Sequence, residues 1–575
     1  LNLQKRYLQP MSSASQQSAA SWHNQLAGWV HRRSTLWIFF SVLAFGILVG
    51  HQTLGVIDRD EARFAQASKQ MLESGDYITP RFMDELRAKK PIGIYWLQSV
   101  SATLFGQADI ASYRLPSLVG FLLSLVLIFR FSRSLWPSSS GPAQGLIAVL
   151  LLASSPLLIA EAHLAKTDSV LLAVLLAQQL MLWRIYKDRL NEDSRPPWLA
   201  FWICLSFGIL VKGPIGPLLA LTSCGLLCGF DRHVGWLKKL QLFKGILVTC
   251  CLVLPWAIAV STATDGAFLD IAIKGDFLSK VKSAQESHGA PPGTYLALLG
   301  LLFWPGLAFS GQIAGLGRQL ITRDASRFCL AWFAGYWLII EFVPTKLPHY
   351  ILPALPALAL LTSHALFGRV MPPSRLKRLI SEGFIFLAGI CGLVLVAALV
   401  WASVRFGGVT GGRAFLFALI TACLIAVCLW RLWLWRKHHR LADILVVLGC
   451  GALAHIIAIA GIVAGASTIH ISSRLAAEIK RLPNQPAVIS LVGYHEPSAV
   501  FHLGRDILLL NADEAAVFMA DSKDGLAVVE KSEREVFMGL ADKLGLNLVS
   551  SARISGFTIS RGRDIELILY QRSNL

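Results

Sequence analysis

The chain has 575 residues, of which 54% are hydrophobic and only 15% charged. Soluble domains carry about 25% charge, so a soluble multidomain enzyme, a disordered chain and a disulfide scaffold are excluded. The net charge of +18 does not point to nucleic acid. Most Lys and Arg sit in short clusters between apolar runs, as in the cytoplasmic loops of a membrane protein, and no nucleic-acid partner is expected.

The ten residues before Met11 (residues 1–10) are expected to be foreign to the fold and are set aside. The first apolar run, near 35–57, follows Arg32 and Arg33, which puts the N-terminus on the cytoplasmic side. About fourteen apolar runs lie between here and residue 464, at or slightly below the ~20 residues that cross a bilayer. Parity decides which of them span. If 93–106 spans, every later basic cluster falls outside. If it lies on the surface, Arg130/Arg133, Arg184/Lys187/Arg189, Arg232/Lys238/Lys239, Arg318/Arg323/Arg327, Arg375/Lys377/Arg378 and Arg431/Arg436/Lys437/Arg440 all fall inside. The second assignment satisfies the positive-inside rule. The run 93–106 is also the shortest and carries Gln98, Ser99 and Ser101.

The predicted fold is thus a polytopic all-α membrane protein of about thirteen transmembrane helices, with the N-terminus in and the C-terminus out. Residues 11–464 form the transmembrane domain, and 58–114 is a long outer loop with interfacial helices. Residues 465–575 form an outer α/β domain. Its predicted helices are Ser473–Leu482 and Glu533–Leu544, and its strands Ala487–Val492, Leu526–Val529 and Ile565–Tyr570. The ten Cys lie in or beside apolar runs without zinc spacing and read as packing residues.

The unusual polar residues gather on the outer side. Asp58-Arg59-Asp60-Glu61-Ala62-Arg63-Phe64 follows the first helix and reads either as a functional acidic cluster or as a helix cap. Next comes Arg87-Ala88-Lys89-Lys90-Pro91, followed by Tyr95, where basic residues break the positive-inside trend and suit an anion. Glu161, His163, Lys166 and Asp168 share a short loop, Asp168 also fitting a helix cap. Lys212-Gly213-Pro214 is either an anion-facing helix break or a tight turn. Lys346-Leu347-Pro348-His349-Tyr350 opens a later helix. Two acidic sites and at least three Lys on one face suit chemistry on a lipid-linked phosphate at an interface. Walker, dinucleotide, HExxH and GxSxG motifs are absent.

Six segments carry a resemblance: Asp60-Glu61-Ala62-Arg63-Phe64-Ala65, Ser74-Gly75-Asp76-Tyr77, Lys90-Pro91-Ile92-Gly93-Ile94-Tyr95-Trp96, Ala165-Lys166-Thr167-Asp168, Lys212-Gly213-Pro214-Ile215-Gly216 and Lys346-Leu347-Pro348-His349-Tyr350-Ile351-Leu352-Pro353. Through them nearly the whole chain resembles the GT-C class of membrane glycosyltransferases. Within that class it is similar to the protein O-mannosyltransferase-like family and its bacterial aminoarabinose-transferring branch. The resemblance implies transfer of 4-amino-4-deoxy-L-arabinose from undecaprenyl phosphate to a lipid A phosphate, at the periplasmic face of the inner membrane. Membrane lipids would be the other partners, and polymyxin resistance the outcome.

The resemblance also implies roles. Asp60 and Asp168 match the catalytic acidic positions, and Lys90 a contact to the carrier phosphate. Glu61, Arg63, Tyr95, Lys212, Lys346, His349 and Tyr350 are expected around the substrate. Where the family often has Glu-Lys-Pro, this chain has Lys89-Lys90-Pro91. Some relatives use a divalent metal, for which His288 with a loop carboxylate is the candidate here. Transfer of another sugar such as mannose, or lipid or sugar transport, are the competing readings.

Overall fold

The computed structural model describes residues 33–138, 141–278, 289–367 and 374–573. The segment before Met11 and His288 lie outside the described residues. Every apolar run read as a span is helical. By length and apolar composition, seven described helices can cross a bilayer, or nine if each bent pair counts as one. One pair, Gly141–Ala153 and Pro156–Ala162, bends by 70°, and the other, Thr294–Leu302 and Leu307–Leu316, by 116°. At the first bend Ser155 caps the new helix and Pro156 occupies its first turn, where a missing N–H costs nothing. Phe40–Thr53, Trp198–Lys212 and Ile215–Asp231 are shorter apolar helices, and Asp324–Phe342 fills the remaining run. The chain is therefore a multi-pass membrane protein. Gly93–Phe105 has 13 residues, short of the ~20 needed to span.

Burial separates inner from peripheral helices. Leu242–Ala263 and Arg375–Phe406 leave Phe243, Ile246, Ile258, Leu393 and Val404 exposed, as lipid-facing helices do. Asp168–Lys187 lies inside the bundle. It packs so closely on Ile110–Leu135 that a Cβ at Gly120 would sit 2.7 Å from the Ser169 backbone. Ser169 Oγ donates to the Ser117 carbonyl at 2.6 Å, and Ser117 Oγ to the Leu164 carbonyl at 2.6 Å. These contacts fix the first turn of the inner helix, and with it Asp168.

Before the second unit comes a two-residue hairpin, β1 (Arg81–Phe82) and β2 (Glu85–Leu86). The C-terminal segment then forms a five-stranded sheet of β3 (Val488–Val492), β4 (Leu508–Leu510), β5 (Gly525–Glu530), β6 (Leu548–Thr558) and β7 (Arg563–Arg572), in the order β4-β3-β5-β7-β6. β3 runs parallel to β4 and β5, and β7 is antiparallel to both neighbours. Alternation on β5 sends Leu526 and Val528 to one apolar cluster with Leu475 and Ile479, and Ala527 and Val529 to another with Met519 and Phe537. Helices thus cover both faces. The helices Ile471–Arg481 and Arg534–Lys543 and the strands β3, β5 and β7 fall where the sequence predicts them. Pro497–Leu503, Ala512–Asp521, β4 and β6 are additions.

Candidate active site

At one end of the bundle the loops enclose a cavity of about 780 Å³. Its charged wall comes from the turn after the first helix, from residues 87–91 and from the loop before Asp168. Its other wall is apolar and includes Ile209, Ile215, Trp256, Phe268, Leu269 and Ile273. Of the ten site residues predicted within the described segments, eight line this cavity: Asp60, Glu61, Arg63, Lys90, Asp168, Lys212, His349 and Tyr350. The chain separates them by up to 290 positions, and the helix ends bring them together.

Local structure explains each placement. Asp60 opens the helix Asp60–Ser74, where the N-terminal dipole favours a carboxylate. Lys212 ends Trp198–Lys212, and Gly213 reverses the chain at φ 67°, a conformation glycine adopts freely. Lys212 Nζ thereby reaches Asp168 Oδ1 at 2.5 Å, both side chains nearly excluded from solvent. The same ammonium sits 5.8 Å from the ring centre of Tyr350, within cation–π range. His349 and Tyr350 meet edge to face at 5.0 Å.

Three further cations complete the wall. Lys166 pairs with Glu161 at 3.1 Å. Arg87 is buried with its guanidinium 4.7 Å above the Phe64 ring, and Lys89 stands beside Lys90. Burial alone would raise the pKa of Asp60. Lys166 first, then Arg87 and Lys90, outweigh it, so the carboxyl is held below its ordinary value and is ionised at neutral pH. Burial likewise opposes the charge on Lys166. Glu161, Asp168 and Asp60 prevail and hold it above the usual lysine value.

Two predicted residues lie outside the cavity wall, and one is committed elsewhere. Tyr95 is fully buried, its ring 5.5 Å from that of Phe64. Lys346 turns away and donates to the carbonyls of Ile340, Glu341 and Val343 at 3.1, 2.5 and 2.7 Å. It satisfies the end of Asp324–Phe342, whose last carbonyls lack helical partners. Glu61 touches the cavity but spends its carboxylate on Arg114, Ala165 and Ile57. Arg114 went unnoticed in the sequence, although an arginine at the start of an apolar helix is itself a signal. Lys166, Arg87 and Lys89 belong to the segments singled out there but not to the expected site.

Among the described residues, Glu161, Asp168 and His349 bring three potential ligand atoms within 4.8 Å of one another. Both carboxylates already face ammonium groups, Lys166 and Lys212. Two ammonium groups already supply positive charge beside these carboxylates, so the donor set fits a metal poorly and no chemical step is assigned to one.

With the site in view, similarity to known proteins becomes informative. Residues 89–258 match the family described as dolichyl-phosphate-mannose-protein mannosyltransferase. The undecaprenyl phosphate-alpha-4-amino-4-deoxy-L-arabinose arabinosyl transferase of Erwinia tasmaniensis is 27% identical over 65% of this chain and 69% of its own length. A Pseudomonas fluorescens counterpart is 27% identical over 61% of this chain and 64% of its own, and one from Yersinia pestis 26% over 57% and 58%. The matches to the last two therefore span less than two thirds of those relatives. The crystal structure of ArnT from Cupriavidus metallidurans bound to undecaprenyl phosphate superposes with a TM-score of 0.73 at 19% identity, covering 93% of this chain and 98% of that one. The apo form gives 0.70 over the same coverage. By sequence the chain is similar to undecaprenyl phosphate-aminoarabinose arabinosyl transferases, and it shares the fold of the ArnT crystal structures.

Proposed function

We propose that this protein transfers 4-amino-4-deoxy-L-arabinose from undecaprenyl phosphate to a phosphate of lipid A. The cavity would open to the periplasm from the bacterial inner membrane, and the product would confer resistance to polymyxin. One observation carries this reading. A single cavity joins an apolar wall to a carboxylate, Asp60, ringed by Lys90, Lys166 and Arg87. An isoprenoid tail suits the apolar wall and a phosphate suits the cations. The names of the relatives supply the sugar and the carrier.

In this reading an oxygen of the acceptor phosphate forms the new bond to the anomeric carbon. The bond from that carbon to the carrier phosphate oxygen breaks, and undecaprenyl phosphate leaves with the electron pair. Lys90, helped by Arg63 and Lys212, meets the charge that grows on the leaving phosphate. Such preorganised electrostatics are often the largest catalytic contribution. A phosphate monoester is largely ionised at neutral pH, with a second pKa near 6, so it needs no strong base. Asp60 then orients the acceptor or the sugar amine, and Asp168 holds Lys212. Direct displacement inverts the anomeric centre.

The experiment is mass spectrometry of lipid A from cells with and without the protein. Aminoarabinose-bearing lipid A only in its presence supports the proposal, and identical spectra contradict it. The match to a mannosyltransferase family favours a second reading, a different polyprenyl-linked sugar, which the mass increment on the product distinguishes.

A further inference from the structure

In a doubly covered sheet, ligands bind where the connections leaving two neighbouring strands diverge, beyond their carboxyl ends. The C-terminal sheet has such a point at β3 and β5. The helix after β3, Pro497–Leu503, joins one apolar cluster, and the helix after β5, Arg534–Lys543, joins the other. The crevice there is already filled. A Cβ at Gly493, just after β3, would lie 2.9 Å from Glu530 Cβ at the end of β5. Glu530 is itself buried and paired with Arg561 and Arg563.

The rim of this crevice holds a piece of the membrane domain. The Ser498 backbone N–H donates to Asp58 Oδ1 at 3.0 Å. Arg59 donates to the Ser560 carbonyl at 2.6 Å, while Ser560 Oγ donates to Glu496. Ser498 Oγ continues to Ser472, and Ser472 to the buried Tyr494. Beside this, Phe501 sits among Val56, Ala62, Ala65 and Tyr113. Arg59 stands at φ 68°, a left-handed conformation that costs a non-glycine residue about 1 kcal/mol or more and needs outside support. The supported residue directly precedes Asp60.

We infer that the C-terminal α/β domain is a positioning element for the transfer reaction. Its strand-divergence crevice grips Asp58 and Arg59 and thereby fixes where Asp60 stands in the cavity. Asp58 and Arg59 also border the cavity, but their side chains are engaged by the α/β domain; with Ser498 they are positioning residues that act through Asp60. The groups facing Asp58 are Glu496, Ser498 and Tyr494 from the α/β domain and Arg63 from the helix Asp60–Ser74. This inference rests on the proposed sugar transfer for its kinetic readout, but the grip itself can be read without it.

The test compares Ser498→Pro with Ser498→Ala in the full-length protein in detergent. Proline removes the N–H given to Asp58 and is tolerated in a first helical turn, whereas alanine keeps the N–H. Asp58→Ala removes the acceptor from the other side. Amide exchange over residues 57–63 should rise in Ser498→Pro and Asp58→Ala and stay unchanged in Ser498→Ala. Turnover in the two gripless variants should fall by roughly tenfold or more, with undecaprenyl phosphate binding kept within about twofold. Unchanged exchange over 57–63 overturns the inference whatever the sugar, and so does wild-type turnover in either gripless variant. Loss of carrier binding in step with turnover also overturns it, because the contact would then be merely structural. If the wild type moves no aminoarabinose while exchange responds as expected, the reading of the substrate fails and the grip stands.

Discussion

Glu61 directly follows Asp60, yet its carboxylate points inward, taking two bonds from Arg114, Nε and Nη2 both at 2.8 Å. Both side chains are essentially inaccessible to solvent, and Arg114 also donates to the carbonyls of His51, Leu54 and Gly55. The pair ties the end of the first helix to the helix Ile110–Leu135. Adjacent acidic residues therefore have different work. Removing one partner of a buried pair strands the other charge and costs about 3–5 kcal/mol. Glu61→Gln should lower the thermal midpoint and the folded yield, with transfer per folded molecule falling much less. Scanning fluorimetry with an activity assay on the same sample checks this.

Asp60→Asn should have the opposite profile. Its carboxylate lines the cavity among cations, so the variant should insert and melt like wild type and lose transfer by 100-fold or more, on the order of one preorganised electrostatic contact. Lys90→Ala should behave alike, with weaker carrier binding in addition. Full activity in either variant removes that residue from the mechanism.

The lysines that neutralise Glu161 and Asp168 lead to a prediction about metals. If Lys166 and Lys212 supply the positive charge, transfer should survive dialysis against EDTA. Lys212→Met should still cut turnover by about tenfold or more, the scale of one charge-assisted contact. Activity lost on chelation and restored by one divalent ion would contradict this.

Asp58 gives a pH signature. Burial first, and Glu496 second, push its carboxyl from 3.8 up to about 6, against the bonds from Ser498 and the charge of Arg63. A folded pKa above the unfolded one means the contribution is fully present below about pH 4 and is lost as pH rises through 6. Asp58→Asn resembles the protonated form. Its thermal midpoint should match wild type near pH 4 and exceed it increasingly toward pH 7. A constant difference across that range would show that Asp58 does not titrate there.

The membrane fold was legible because apolar length and basic loops are direct consequences of the bilayer. The cavity residues were legible where an unusual group stood at a helix end, as with Asp60, Asp168 and Lys212. Lys346 misled because a lysine next to a cavity looks the same in sequence whether it faces a substrate or caps a helix, and only the position of its ammonium decides. Tyr95 misled for a similar reason, since helical phase turned its ring onto Phe64. In the C-terminal unit, β4 has three residues, and β6 carries Ser550, Ser551 and a register shift beside them. Neither offers the alternation that marks a half-buried strand. The grip on Asp58 has no local signature, because it joins residues 440 positions apart.

The most direct test is reconstitution of the purified protein in liposomes with undecaprenyl phosphate–aminoarabinose and lipid A, followed by mass spectrometry of the lipids. Lipid A carrying aminoarabinose on phosphate should form with wild type and be absent with Asp60→Asn. Lipid A left unmodified by active wild-type protein, or modified equally by Asp60→Asn, would contradict it.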